Sequence, residues 1–236
     1  MEEASIPMTF PRRLETELLD VLPADDPAAE RSRRDLRLLN AVMLHPAIMA
    51  RRMRCHAVEA PKRIIELGAG DGSFMLRLGR RLARHWPGVA VVLVDKQDIV
   101  THETREDISN LGWRGNRVIQ DVFEYLAIAE PADMIVANLF LHHFRPGQLT
   151  EIFTQCATLA PLLIALEPRR TSLPLVGSRL IWLLGCNHVS RHDAVLSVRA
   201  GFQDNELSAL WPNRRGWIFD ERSVGPWTHC FVAQKC

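Results

Sequence analysis

Apolar residues are spaced in two different ways along this 236-residue chain, and the change falls near Lys62. Before it the spacing is helical. Leu14, Leu18, Leu19 and Leu22 recur at three- and four-residue intervals until "DDPAAE" interrupts them. A second run passes through Leu36, Leu39, Asn40, Met43 and Leu44 and is ended or kinked at "HP" (45–46). A third short helix runs through Met49 and Met53 towards the break at Pro61. Residues 12–60 therefore read as helical. The domain expectation is a helical N-terminal cap over 1–61, packed on one end of a main domain over 62–236.

After Lys62 short, nearly continuous apolar runs alternate with helical ones. Strands are predicted at "RIIELG" and at 89–95, 116–121, 132–139 and 161–168. Helices are predicted from Gly72 to Trp86, over 98–111 and over 146–159, with a helix-rich insert at about 173–211. Two late strands follow at 216–222 and 227–235. Strands that are apolar throughout are those buried on both faces, so the sheet is parallel and covered by helices on either side. The last two strands are too close for a crossover helix and must form an antiparallel hairpin. The predicted fold class is α/β: a doubly wound, seven-stranded, mostly parallel sheet with an antiparallel C-terminal hairpin and an N-terminal helical cap.

Composition adds boundaries to this picture. Hydrophobic residues at 47% and charged residues at 24% are ordinary for a globular chain. A formal charge of +1 gives no global reason to expect a nucleic-acid partner, and "RSRR", "RRMR" and "NRR" read as solvated surface. The start "MEEASIPM" is acidic and lacks the apolar core of a secretory signal. The lipophilic stretch 173–189 is broken by Gly177, Ser178 and Arg179 and is too short to span a bilayer. Five cysteines without a CxxC pair suggest reduced thiols and a cytoplasmic location. Cys186, His188 and His192 have no second ligand pair at suitable spacing, so no metal is expected. A small-molecule partner is expected, with the chain a monomer or a homodimer.

The candidate chemistry starts at "ELGAGDGSF". Gly68, Gly70 and Gly72 crowd the turn between the first strand and its helix, where a parallel sheet binds its ligands. Glycine admits positive φ and a close approach of ligand to backbone, and the following helix offers free N–H groups. The dinucleotide fingerprint needs G-x-G-x-x-G, and Ser73 takes its last position, which weighs against NAD and FAD. Asp95 ends the second strand, where an acid can accept both ribose hydroxyls of an adenosine moiety. Asp121 ends the third predicted strand, placed either to accept from an adenine amino group or to cap a helix, with Val122 and Phe123 as apolar neighbours.

Together, "ELGAGDGSF", "LVDKQD", "QDVFEYL" and "ANLFLHHF" resemble motifs I to IV of the class I S-adenosylmethionine-dependent methyltransferases, which have a Rossmann-like sheet. The likeness runs from about Lys62 to the C-terminus. Two further stretches, 32–40 and 191–207, are similar to bacterial small-molecule methyltransferases of the quinone-biosynthesis and polyketide-associated kinds. The resemblance implies S-adenosyl-L-methionine as cofactor. It implies that Glu66, Gly68, Ala69 and Gly70 flank its methionine part, that Asp95 and Lys96 lie at the ribose, and that Asp121 and Val122 lie at the adenine. Asn138 would hydrogen-bond near the cofactor.

Methyl transfer from a sulfonium is an in-line displacement, so the protein must align the reactants and exclude water. A phenolic nucleophile benefits from a base poised near neutrality, and His142 or His143 is the candidate. Arg170, Trp182 and His192 are candidates for binding substrate from the fifth strand and the insert. The function expected is methylation of a hydrophobic, aromatic or polyketide-like small molecule, with O-methylation favoured. The alternatives are an RNA or protein methyltransferase and a non-catalytic cofactor-binding scaffold.

Overall fold

The computed structural model describes residues 10–236; the stretch 1–9, which holds "MEEASIPM", lies outside them. The elements in chain order are α1 (Leu18–Val21), α2 (Pro27–Val42), α3 (His45–His56), β1 (Arg63–Leu67), α4 (Ser73–Leu82) and β2 (Ala90–Asp95). Then come α5 (His102–Asn110), β3 (Arg114–Ile119), α6 (Val122–Ile128), β4 (Met134–Asn138), α7 (Pro146–Leu159) and β5 (Leu162–Pro168). The chain finishes with α8 (Ser172–Leu180), α9 (His188–Ala200), α10 (Glu206–Ala209), β6 (Trp217–Val224) and β7 (Thr228–Lys235). Short 3-10 turns at Leu141–His143 and Ile181–Leu184 follow β4 and α8.

All seven strands form one sheet in the order β3-β2-β1-β4-β5-β7-β6. The first five run parallel, while β7 pairs antiparallel with both β5 and β6, so the C-terminal hairpin completes the sheet. The side-chain period of two sends Ile64 to the layer holding Met49, Met75 and Leu78, and Ile65 to the opposite layer with Tyr125, Ile152 and Phe153. Every residue of β5 is buried, as a central strand covered on both faces requires. The edge strands differ. Arg114, Asn116 and Arg117 on β3, and Asp220, Glu221 and Arg222 on β6, place charge and amide groups where further pairing would be harmful.

Several boundaries depart from the sequence reading. Residues 10–17 are not helical, and only Leu18–Val21 makes a single turn; the helical leucine spacing there serves a strap that runs over the molecule. "DDPAAE" does not interrupt a helix but starts one. Asp26 accepts from the Ala28 and Ala29 amides as N-cap of α2, and Pro27 occupies its first position. The third strand lies two residues earlier than expected, so Asp121 does not end it. Asp121 instead caps α6, accepting from Phe123 N at 2.9 Å.

Candidate functional site

Sheet order reverses between β1 and β4, and a crevice opens beyond their carboxyl ends. Gly68, Gly70 and Gly72 all have positive φ in the turn after β1. A Cβ on Gly68 would stand 2.2 Å from the Phe140 ring, so the turns after β1 and β4 approach closely only because that position is glycine. Gly70 differs, because a Cβ there would meet nothing within 4 Å. It faces a cavity of about 760 Å³ bordered by both turns, α2, the strap and the α8–α9 region. That volume is within the range of ordinary small-molecule sites, roughly 300–1,000 Å³.

One wall of the cavity is acidic. The Asp95 carboxylate braces the turn, accepting from Gly70 N at 2.8 Å and from Gln97 N at 2.9 Å. Asp71 pairs with Arg37 of α2 and accepts from Ser73 N at 3.0 Å. Glu66 is buried in β1 and lines the cavity, and its Oε2 has no hydrogen-bond partner. Burial, then the charges of Asp71 and Asp95, push its carboxyl well above the usual carboxylate range. Ala69, Lys96, Asp121, Val122 and Asn138 also border this cavity. A buried carboxyl lacking a partner, glycine backbone facing open space and further acids around it fit a cationic ligand with an amino group and ribose hydroxyls. They therefore fit an S-adenosyl cofactor.

Asn138, at the end of β4, is held from behind. Its side-chain nitrogen donates to Asn40 Oδ1 at 2.9 Å, and its oxygen lies 2.7 Å from His45 Nδ1. Burial holds the His45 pKa down at about 4, against the hydrogen bond it donates to Asn138 and the charge of Glu167. The ring is therefore neutral, donating through Nδ1 and accepting at Nε2 from the Thr228 hydroxyl at 2.9 Å. Leu139, the next residue, has φ 54°. An L-side chain in the left-handed region costs about 1–2 kcal/mol, and this strained step turns the chain from β4 into the histidine-bearing loop.

The two histidines have different surroundings. His142 is buried, with Nδ1 2.8 Å from Glu167 and Nε2 3.4 Å from Glu17, a distance that makes an ion pair rather than a normal hydrogen bond. Burial alone would lower its pKa, but Glu167 and Glu17 outweigh burial and hold it up at about 9. His142 is thus an imidazolium at neutral pH. To act as a base, His142 would first have to give up the proton that Glu167 and Glu17 hold on it. Glu167 is fully buried; it also accepts from the Phe140, Leu141 and His142 amides, and so shapes the whole loop.

His143 is half-buried on the cavity wall, its ring centroid 4.2 Å from that of His142. Its Nδ1 lies 3.2 Å from Asp20 of α1. Burial opposes ionisation of Asp20, yet His143 and then Lys96 hold its pKa down at about 2. An N–H at Nδ1 directed at that carboxylate leaves the lone pair of the neutral ring on Nε2. Donor atoms of Glu17, His142 and His143 all fall within 4.8 Å of one another.

Three expected substrate contacts are corrected. Arg170 is buried away from the cavity, where it donates to Gly201 O at 3.0 Å and to Phe10 O and pairs with Glu206. It ties strap and insert to β5. Trp182 is exposed and absent from the cavity wall. His192 points outward onto Asp193, which itself accepts from Leu18 N at 2.8 Å and Leu19 N at 2.9 Å. In their place the wall includes Glu17, Asp20, Asn40 and Asp193. Glu17 and Asp20 carry no local signal in the sequence, because they are distant in the chain from the histidine loop they meet.

No protein-family model and no curated protein sequence matches the chain. Solved structures do. A plantazolicin methyltransferase, BpumL, in complex with S-adenosylhomocysteine aligns at TM-score 0.62 and 12% identity, over 90% of this chain and 92% of its own. The mitomycin 7-O-methyltransferase MmcR aligns at TM-score 0.61 and 18% identity, over 94% of this chain and 61% of its own. An O-methyltransferase family protein from Burkholderia thailandensis aligns at 0.59 and 20%, over 90% and 61%. The chain thus spans about three fifths of these last two proteins. Its fold is that of the class I S-adenosylmethionine-dependent methyltransferases.

Proposed function

We propose that this protein transfers a methyl group from S-adenosyl-L-methionine to a lipophilic small molecule, with a hydroxyl oxygen the favoured acceptor. One observation carries the reading. A single cavity joins the glycine turn, with its partnerless Glu66 oxygen and its Asp95 brace, to a histidine–carboxylate pair that lines it as well. Within the proposal, Glu66 and the Gly68–Gly70 backbone hold the methionine end of the cofactor, Asp95 and Lys96 the ribose, and Asp121 and Val122 the adenine. When bound, the cofactor supplies a methyl group on a sulfonium, ready for displacement.

The chain's own residues then perform two tasks. His143, oriented by Asp20, takes the hydroxyl proton at Nε2 as the oxygen–methyl bond forms and the sulfur–methyl bond breaks. His142, charged between Glu17 and Glu167, holds the loop that presents His143. The substrate side is lined by Leu36, Leu39, Met43, Phe140, Ile181 and Leu183, which suits an aromatic or otherwise apolar acceptor and excludes water from the transfer. The apolar lining of the substrate side, in place of a basic stripe, opposes the alternative of an RNA substrate, whose phosphates require cationic walls.

The test is transfer of labelled methyl from S-adenosylmethionine to a panel of lipophilic phenols, extracted into organic solvent. The wild type is expected to label at least one phenol. His143→Gln is expected to lower kcat by about 10²–10⁴-fold with cofactor binding intact. Equal turnover by His143→Gln would remove this residue from the role of base. Cofactor binding without transfer to any acceptor would favour the non-catalytic scaffold.

A further inference from the structure

Helix α8 wears its apolar stripe on the outside. Leu173, Val176 and Leu180 stand at i, i+3 and i+7 and are 56%, 51% and 46% exposed, whereas Pro174 and Ser178 are buried. Gly177 fixes this orientation, because its place against Trp227 leaves only 2.5 Å for a Cβ. The following 3-10 turn continues the stripe with Trp182 at 52% and Leu183 at 64% exposure. An apolar ridge of this length is a surface that binds something.

Two features specify the occupant. The first is continuity with the cavity: Leu180, Leu183 and Leu184 are exposed and yet form part of the cavity wall, as does Val42 of α2. The ridge is therefore one rim of the cavity mouth. The second is charge. Between Arg170 and Asp193 the chain has no acidic residue, while Arg179 and Arg191 are exposed within it. Apolar side chains with a tryptophan, flanked by arginines, are the composition of segments that lie in the headgroup region of anionic bilayers. Among the described residues no helix is long and apolar enough to cross a membrane, so the contact would be peripheral.

We propose that α8 and the turn after it dock on an anionic lipid surface and open the cavity mouth towards the bilayer, so that the acceptor is an amphiphile drawn from the membrane. The docking stands on the ridge alone; the acceptor class rests on the methyl-transfer reading above.

Vesicle flotation tests it, with vesicles of phosphatidylcholine containing about a quarter phosphatidylglycerol and vesicles of phosphatidylcholine alone. The chain is expected to float with the mixed vesicles, less so with the neutral ones, and to stay behind when Trp182 and Leu183 are both changed to glutamate. Val58→Glu, a charge at a 92%-exposed apolar residue of another segment, is expected to float as the wild type does. S-adenosylhomocysteine titration of each variant reports the fold and the cofactor site separately from docking. Protein that binds S-adenosylhomocysteine but never floats overturns the proposal and leaves the methyltransferase reading standing. So does equal flotation of W182E/L183E, equal flotation with neutral vesicles, or a ridge that proves to join two copies of the chain. Flotation without S-adenosylhomocysteine binding keeps the docking and removes the acceptor class.

Discussion

At the scale of residues, the site depends on buried groups whose charge is set by neighbours far away in the chain. Glu66 has its carboxyl pushed well above the usual carboxylate range by burial and then by Asp71 and Asp95, a shift that a cation reaching its partnerless oxygen would reverse. Binding an amino-bearing ligand must then release a proton, and affinity must rise with pH. Titration calorimetry with S-adenosylhomocysteine at pH 7 should give enthalpies that differ between phosphate and Tris buffers, and Glu66→Gln should remove the difference. Buffer-independent enthalpies in the wild type would count against this role. Glu167 presents another case, since its loss strands three amides and an imidazolium in a dry interior. Glu167→Ala is expected to destabilise the fold by about 3–5 kcal/mol in urea unfolding, as removal of one partner of a buried ion pair does.

At the scale of elements, the strap and α9 close one side of the cavity through specific polar contacts. Arg12 donates to the carbonyls of His142, Phe144 and Ala200, and Asp193 accepts from the first two amides of α1. Asp193→Ala should free the strap without unfolding the sheet. Protection of the Leu18 and Leu19 amides from hydrogen exchange should fall about ten- to a hundredfold, since bonds to a charged acceptor contribute roughly 1.5–3 kcal/mol. Unchanged protection would show that the strap is held by other contacts. The same elements show how far a sequence can be read. β1, β2 and β5 announce themselves because burial on both faces leaves an uninterrupted apolar run, and the glycine turn announces itself by local steric need. The strap does not, because Leu14, Leu18, Leu19 and Leu22 mimic a helix while their environment is supplied by α9 and the loop after β4. Asp26-Pro27 carries the signature of a cap and first residue, but the same Asp and Pro in "DDPAAE" also read as a break between helices. Glu17 and Asp20 lie more than a hundred residues from the histidines they meet, and no local pattern records that meeting. Arg170 follows a strand at the right rim, yet it pairs with Glu206 and does not line the cavity.

At the scale of the whole molecule, the buried imidazolium links the fold to pH. The His142 pKa is raised to about 9 in the folded chain, so its contribution is complete below the ordinary histidine value of 6.5 and is lost as pH rises towards 9. Glu17 and Glu167 have depressed values, so theirs is present above the usual carboxylate value of 4.5 and fades as pH falls below it. Urea midpoints should therefore decline between pH 6.5 and 9, and decline less in His142→Phe. A flat wild-type profile across that interval would contradict the charged ring.

The central claim is that the glycine turn and its acids form an S-adenosyl cofactor site. The most direct measurement is calorimetric titration with S-adenosylhomocysteine, with NAD alongside, of the wild type and of Gly70→Ala. A Cβ at position 70 meets no protein atom within 4 Å and adds only about 1–2 kcal/mol of backbone strain, so the variant should fold while its methyl group occupies the ligand's space. The account predicts micromolar binding of S-adenosylhomocysteine by the wild type, loss of that binding in Gly70→Ala, and none of NAD. A folded wild type that binds no S-adenosylhomocysteine, or a Gly70→Ala variant that binds it equally well, would contradict it.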